Sequence, residues 1–339
     1  MTKRNISFLV GLLLLVFIFF IMMIALITLV TLRGNLPSIG RGTVAIITVE
    51  GTISDTTEEI RLLRAYGKSP FVRAIILRLE TPGGAVAASQ ELHREIRKTR
   101  KESGKPILAS MGNVAASGGY YIASAADEIF ANPGTVTGSI GVILETYNVE
   151  GLSKKIGFAV TTIKSGKLKD TGSPFREMTP EEKAVLQGTI DDTYDQFLEA
   201  VLDGRLRTLA RAHLRQGASK TSATATAGTP TTPTALTKLE EAAAARVPRE
   251  VVKQYLRTIA DGRVLSGRQA CEDGLVDRLG SLQDAIDRAA ELGGIRGKPS
   301  VLQERHRPTL WDVLMGRTEI LSRLAPRHGI ALEYRLSFD

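Results

Sequence analysis

The 339-residue chain has a single cysteine, Cys271. One thiol excludes an intramolecular disulfide framework, so the redox compartment cannot be read from cysteine usage. Histidine is nearly as scarce. His93, His213, His306 and His328 are scattered, with neither HExxH nor CxxC spacing, and no metal site is expected. Long apolar runs are absent everywhere but at the N-terminal end, which excludes a polytopic membrane protein. What remains is ordinary material for one large domain or two small ones. The hydrophobic fraction is 43% and the formal charge is +8, enough apolar material for a sizeable core.

The one exception is the run from Ile6 to Leu32, which carries no charge. As a helix it would span roughly 40 Å, more than the ~30 Å hydrocarbon core requires. Cleavable signal peptides have a much shorter apolar core, so an uncleaved anchor is expected, although Ser38-Ile39-Gly40 is a small-x-small triplet that could be a cleavage site. Lys3 and Arg4 precede the run and Arg33 alone follows closely. That slight bias points to a cytoplasmic N-terminus (residues 1–5), a span over 6–32, and the rest of the chain outside the cytoplasm, on a single-pass protein of the cell (inner) membrane.

After a Gly/Pro/Ser-rich linker (33–42), strand and helix patterns alternate. Strands are predicted at 43–50, 73–80 and 106–111, with shorter ones at 128–132, 141–145 and 158–163. Helices are predicted at 55–67, capped by Asp55, then at about 86–101, 180–203, 248–259 and 281–293. Apolar strands separated by helices imply an α/β layered domain with a largely parallel sheet. From Gly217 to Thr237 every residue except Lys220 and Leu236 is Ala, Gly, Ser, Thr or Pro. Such a stretch buries too little apolar surface to offset its ordering entropy, and a flexible insertion is expected over about 207–246. Residues 296–339 form a basic, weakly patterned tail with the only tryptophan, Trp311.

"AASGG" places Ser117 at a strand-to-helix turn. A serine there is commonly an N-cap or a small packing residue. It can also be a nucleophile, with the N–H of Gly118 beside it as an oxyanion donor. "LETPGGAVAAS" (79–89) is a strand ending in a Gly-Gly turn. Those glycines either permit positive φ or turn an unhindered N–H towards an oxyanion. No histidine lies in a comparable turn, and His93 falls in a charged helix, where a solvated face is expected. A lysine can replace histidine as base if burial keeps it neutral. Lys164, Lys167 and Lys169 lie in "TTIKSGKLKDTGSPFREMTPEE" (161–182), and spacing alone does not choose among them.

Together "TPGGAVAAS", "GNVAASGGYYIASAADEIFANPGTVTGSIGV", "IKSGKLKDTGSPFREMTPEE" and "IADGRVLSGRQACEDGLVDRLG" resemble the signal peptide peptidase SppA family, in its short, single-repeat form. These motifs cover most of residues 43–295, in the family order. The resemblance implies a ClpP/crotonase-like fold and a membrane-anchored Ser-Lys endopeptidase acting on signal peptides and other short apolar peptides. By matched position it makes Ser117 the nucleophile, Lys169 the general base and Ser139 the residue that orients the lysine. The oxyanion donors would be the N–H of Gly118 and that of Gly83, with Gly84 as the alternative. It further implies a dome-shaped homo-oligomeric ring in which a neighbour supplies Lys169, with no metal, no organic cofactor and no nucleic-acid partner. Two other readings of the same fold are a crotonase-like acyl-CoA enzyme and a non-catalytic membrane scaffold. The intact Ser117, Lys169 and Ser139 argue against both.

Overall fold

The computed structural model describes residues 14–23, 42–221, 240–303 and 333–335. The chain divides into two units, residues 1–41 and 42–339. In the first, residues 14–23 are helical with every side chain exposed. The rest of the anchor expected over 6–32 lies outside the described residues. Among the described residues no helix is long and apolar enough to cross a membrane.

The second unit is mixed α/β. Its central strands are β1 (Thr43–Glu50), β2 (Val72–Thr81) and β4 (Ile107–Ala115), with short β3 (Gly83–Ala85) following β2. β1 pairs with β2 and β2 with β4, all parallel. Parallel neighbours need crossovers, and two helices provide them: α1 (Thr57–Lys68) and α2 (Val86–Ser103). Along β1 the side chains alternate between two cores. Ala45, Ile47 and Val49 face one, and Val44 and Ile46 face the other. That explains why these strands read as unbroken apolar runs: both faces are covered.

β4 forks. Residues 108–110 pair with β5 (Glu128–Ala131), while Val114 pairs with β6 (Val136–Gly138). The fork leaves room at the end of β4 for the short helix α3 (Gly118–Ala123). Then come α4 (Glu150–Lys155), α5 (Pro180–Thr221), α6 (Arg249–Ile259), β7 (Val264–Ser266), α7 (Gly267–Glu272), β8 (Arg278–Leu279), α8 (Leu282–Leu292) and β9 (Ser300–Gln303). β7 is antiparallel to β6, whereas β8 and β9 add parallel strands to β5 and β1. α8 packs Ala285, Ile286 and Ala289 onto the second core. The remaining strand, β10 (Glu333–Arg335), runs antiparallel to β3, with Tyr334 opposite Gly84.

Several expectations need correction. Residues 141–145 and 158–163 form no strand, apart from a single bridge residue at 143. Ile163 is 96% exposed, and among the described residues no strand pairs with its segment. α5 does not stop at 203. Leu209, Ala210 and Ala212 are buried, so 207–216 belong to a packed helix rather than to a flexible insertion. Residues 222–239, the middle of that insertion, lie outside the described residues. Asp55 is not the N-cap of α1, which is Thr56, but its Oδ1 does accept the N–H of Thr57 at 3.1 Å.

His93 is also not where its charged neighbours suggested. It is 6% exposed, its ring centroid 4.8 Å from that of Tyr121. It continues the stripe of Ser89, Leu92 and Ile96 that faces the core. Burial pushes its imidazole down to about 4, so the folded protein keeps it neutral. The unfolded chain takes up that proton near pH 6.5. Stability from this site is therefore complete above pH 6.5 and is lost as pH falls towards 4, by up to about 3 kcal/mol. Replacing His93→Phe is expected to flatten this loss. Urea unfolding midpoints at pH 7 and pH 4.5 should differ less in the variant; an equal difference refutes the assignment.

Candidate active site

Ser117 joins β4 to α3 with φ 53° and ψ −115°. A residue with a side chain enters that region only under constraint, at roughly 1–3 kcal/mol. Three backbone hydrogen bonds supply the constraint. Ala116 N donates to Thr81 O at 3.1 Å, Ser117 N to Gly138 O at 2.9 Å, and Tyr121 N to Ser117 O at 2.8 Å. α3 comes this close to β2 because residue 119 is glycine, where a Cβ would lie 2.7 Å from Thr81 Cγ2. The far side of the helix is tied by the Tyr120 hydroxyl, which donates to Leu275 O at 2.9 Å.

The outcome is a serine 1% exposed whose Oγ has no hydrogen-bond partner among the described residues. A buried hydroxyl left unpaired costs on the order of 1–3 kcal/mol. Proteins tolerate that, together with backbone strain, mainly where a group is held ready for chemistry.

Ser139 sits alongside. It follows Gly138, whose carbonyl accepts the Ser117 N–H, and it too has positive φ (49°). Its own N–H donates to Arg263 O at 2.8 Å, which ties it to the "ADGRV" stretch. Gly118 begins α3, so its N–H is one of the first-turn donors an α-helix leaves without an internal acceptor.

Gly83, the expected second donor, is engaged by the residue two positions before it. Its N–H donates to Thr81 Oγ1 at 3.0 Å, a bond it would have to give up to reach an oxyanion. Gly84 is different. Ile53 bonds to Gly83 O and Ala85 N, so strand alternation turns the N–H and C=O of Gly84 to the opposite edge, where β10 pairs. β10 also contacts α3. The edge beside the nucleophile thus already takes an extended segment.

Lys169 makes no hydrogen bond to Ser117 Oγ. It is exposed, in the irregular segment between α4 and α5. Around it Ile156, Phe158, Ile163, Leu168 and Phe175 are exposed as well, forming an apolar arm with no core of its own.

Beyond α3, Arg205 of α5 donates from Nη2 to both carboxylate oxygens of Asp277 at 2.7 Å; Asp277 also accepts Ile129 N at 2.7 Å. Arg205 is buried, so removing either partner would strand a charge in the core. Reading the sequence alone missed Thr81, Gly138 and this pair. Their signal is only their place at strand ends and in "DGLVD".

Residues 99–229 and 243–296 match peptidase family S49. A Synechocystis protein named as a protease is 36% identical over 257 residues, covering 75% of this chain and 76% of that protein. An Enterococcus faecium protein named for signal peptide peptidase SppA is 32% identical over 254 residues. That alignment covers 71% of this chain and 61% of the relative's length. A solved structure of the 1510-N membrane-bound stomatin-specific protease with a substrate peptide aligns at TM-score 0.43 and 15% identity, over 82% of this chain and 98% of that one.

Proposed function

Because the chain belongs to peptidase family S49, and is a protease on that ground, we propose that it is a membrane-anchored serine endopeptidase with a Ser117–Lys169 dyad. Its ClpP/crotonase-like architecture, single N-terminal anchor over 6–32 and extracytoplasmic catalytic domain are parts of the same proposal. So are its substrates, signal peptides and other short apolar peptides.

The observation that carries the reading is Ser117 itself: strained, buried and unpaired at Oγ among the described residues, with its backbone held from three sides. In the proposed reaction Lys169 Nζ takes the proton as Oγ bonds to the peptide carbonyl carbon. The oxyanion is held by the N–H of Gly118 and by that of Gly83 or Gly84, either of which gives up its present partner as the substrate enters. Collapse breaks the C–N bond, the leaving amine takes the proton from the lysine, and water then releases the acyl group from Ser117. The peptide lies extended along β3, on the edge β10 takes.

A lysine in open water is protonated near neutral pH and cannot act as a base. Lys169 is exposed in the single chain, on an arm whose apolar side chains are exposed too. Seating that arm on a neighbouring copy would cover both and bring the lysine to the neighbour's Ser117. Homo-oligomeric assembly is therefore part of the proposed catalytic unit.

A fluorophosphonate probe tests the nucleophile. The purified protein should gain one covalent adduct, mapped by peptide mass to Ser117 and blocked by an apolar peptide. An adduct on another residue, or none on an assembled and folded sample, refutes the reading.

A further inference from the structure

We propose that Arg176 is the positioning residue for Lys169, clamping the backbone of its loop to the first turn of α5. The inference rests on Lys169 being the general base.

The clamp is built from groups adjacent to that lysine in sequence. Asp170 follows Lys169, and its carboxylate takes Arg176 Nε and Nη2 on separate oxygens, each at 2.9 Å. The same guanidinium donates from Nη1 to Glu182 Oε2 at 2.9 Å and to Glu177 O at 3.0 Å, and from Nη2 to Glu182 Oε1. Glu182 is 2% exposed on its side chain and closes the start of α5. It accepts Thr179 N at 2.8 Å while Thr179 Oγ1 accepts Glu182 N at 3.2 Å, a capping box. Lys164 Nζ adds a further bond to Asp170 and one to Lys167 O. Lys169 N and Thr171 N close turns onto Gly166 O and Leu168 O, each at 3.2 Å.

The backbone on both sides of Lys169 is thus fixed while its side chain stays exposed. Nothing apolar could do this here. From 180 to 192 the only buried residue of α5 is Glu182, and the arm exposes its hydrophobic side chains. A rigid fork between two carboxylates replaces the missing core, and guanidinium geometry suits it where a lysine's point charge would not.

The hydrogen bonds from Arg176 hold Asp170 well below the usual carboxylate range and Glu182 down to about 2. Both groups bind less proton folded than unfolded. The clamp's contribution is therefore complete above the ordinary carboxyl range and disappears only as pH falls through those depressed values. It is whole at any pH where a lysine base could act.

A base displaced by about 1 Å costs on the order of 10²-fold in rate. Arg176→Ala should therefore lower kcat on an apolar peptide by about 10²-fold with KM within about twofold. Arg176→Lys, which keeps the charge but loses the fork, should fall between. Guanidinium ion at sub-denaturing concentration should restore part of the Arg176→Ala rate, and urea should not. Sedimentation and circular dichroism should match wild type.

Wild-type kcat in Arg176→Ala, alongside an inactive Lys169→Ala control, overturns the clamp while leaving the base assignment standing. Turnover by Lys169→Ala overturns both. If Arg176→Ala does not fold, Glu182→Gln decides. Its one amide oxygen can keep the Thr179 N–H, while its NH2 replaces the oxygen that accepts from Arg176 Nη2, and it should lose about tenfold in kcat. Unchanged kcat in that variant overturns the inference.

Discussion

Ser117→Ala is expected to lower peptide turnover by at least about 10³-fold and to leave the thermal midpoint within a few degrees of wild type. The two halves of this result have separate causes. Turnover disappears because no other nucleophile lies on the turn. The fold persists because the bonds from Ala116 N, Ser117 N and Tyr121 N are all backbone bonds that alanine keeps. The deleted hydroxyl has no hydrogen-bond partner among the described residues, so its loss breaks no bond there. Cleavage of a fluorogenic apolar peptide and thermal unfolding, measured on one preparation, check both. Turnover in a folded Ser117→Ala protein would remove Ser117 from the mechanism.

Lys169→Ala should be as inactive as Ser117→Ala, and mixing the two inactive proteins should restore activity. If the dyad is shared between copies, a Lys169→Ala protomer still offers its Ser117, and a Ser117→Ala protomer still offers its Lys169. Random co-assembly in a head-to-tail ring makes roughly a quarter of the sites whole. Lys167→Ala should stay near wild type, since its ammonium pairs with Glu181, at the exposed start of α5. The two proteins are unfolded together, refolded and assayed for turnover. No recovery in co-assembled material would place both dyad residues in one chain. An inactive Lys167→Ala enzyme would mean the wrong lysine of "GKLKD" had been chosen.

The parts of the fold legible in the sequence were those whose signal is local. β1, β2, β4 and the helices between them are legible because each carries an apolar run or stripe that packs into a core. The errors share one cause. Residues 158–163 have the composition of a strand but no partner among the described residues, and a strand exists only as part of a pair. His93 was misplaced because its charged neighbours in sequence lie on another face of α2. Its own position is decided by Tyr121, which packs on it from a different element.

The site divides the same way. Ser117, Gly118, Ser139 and Lys169 were proposed by resemblance to family motifs, each of which spans a few consecutive residues. The choice between Gly83 and Gly84 could not. It depends on a bond from Gly83 N to the Thr81 hydroxyl and on which edge of β3 faces Ile53.

By itself the sequence determined the family, the parallel α/β order and the residues available for chemistry, since periodicity and short motifs are properties of neighbours along the chain. Only the tertiary structure decided that Ser117 is strained and unpaired, that Gly83 spends its N–H on Thr81, and that Lys169 stands exposed beside an Arg176 clamp. Each of these depends on which distant group takes a particular hydrogen bond or covers a particular face, and chain order does not specify that pairing.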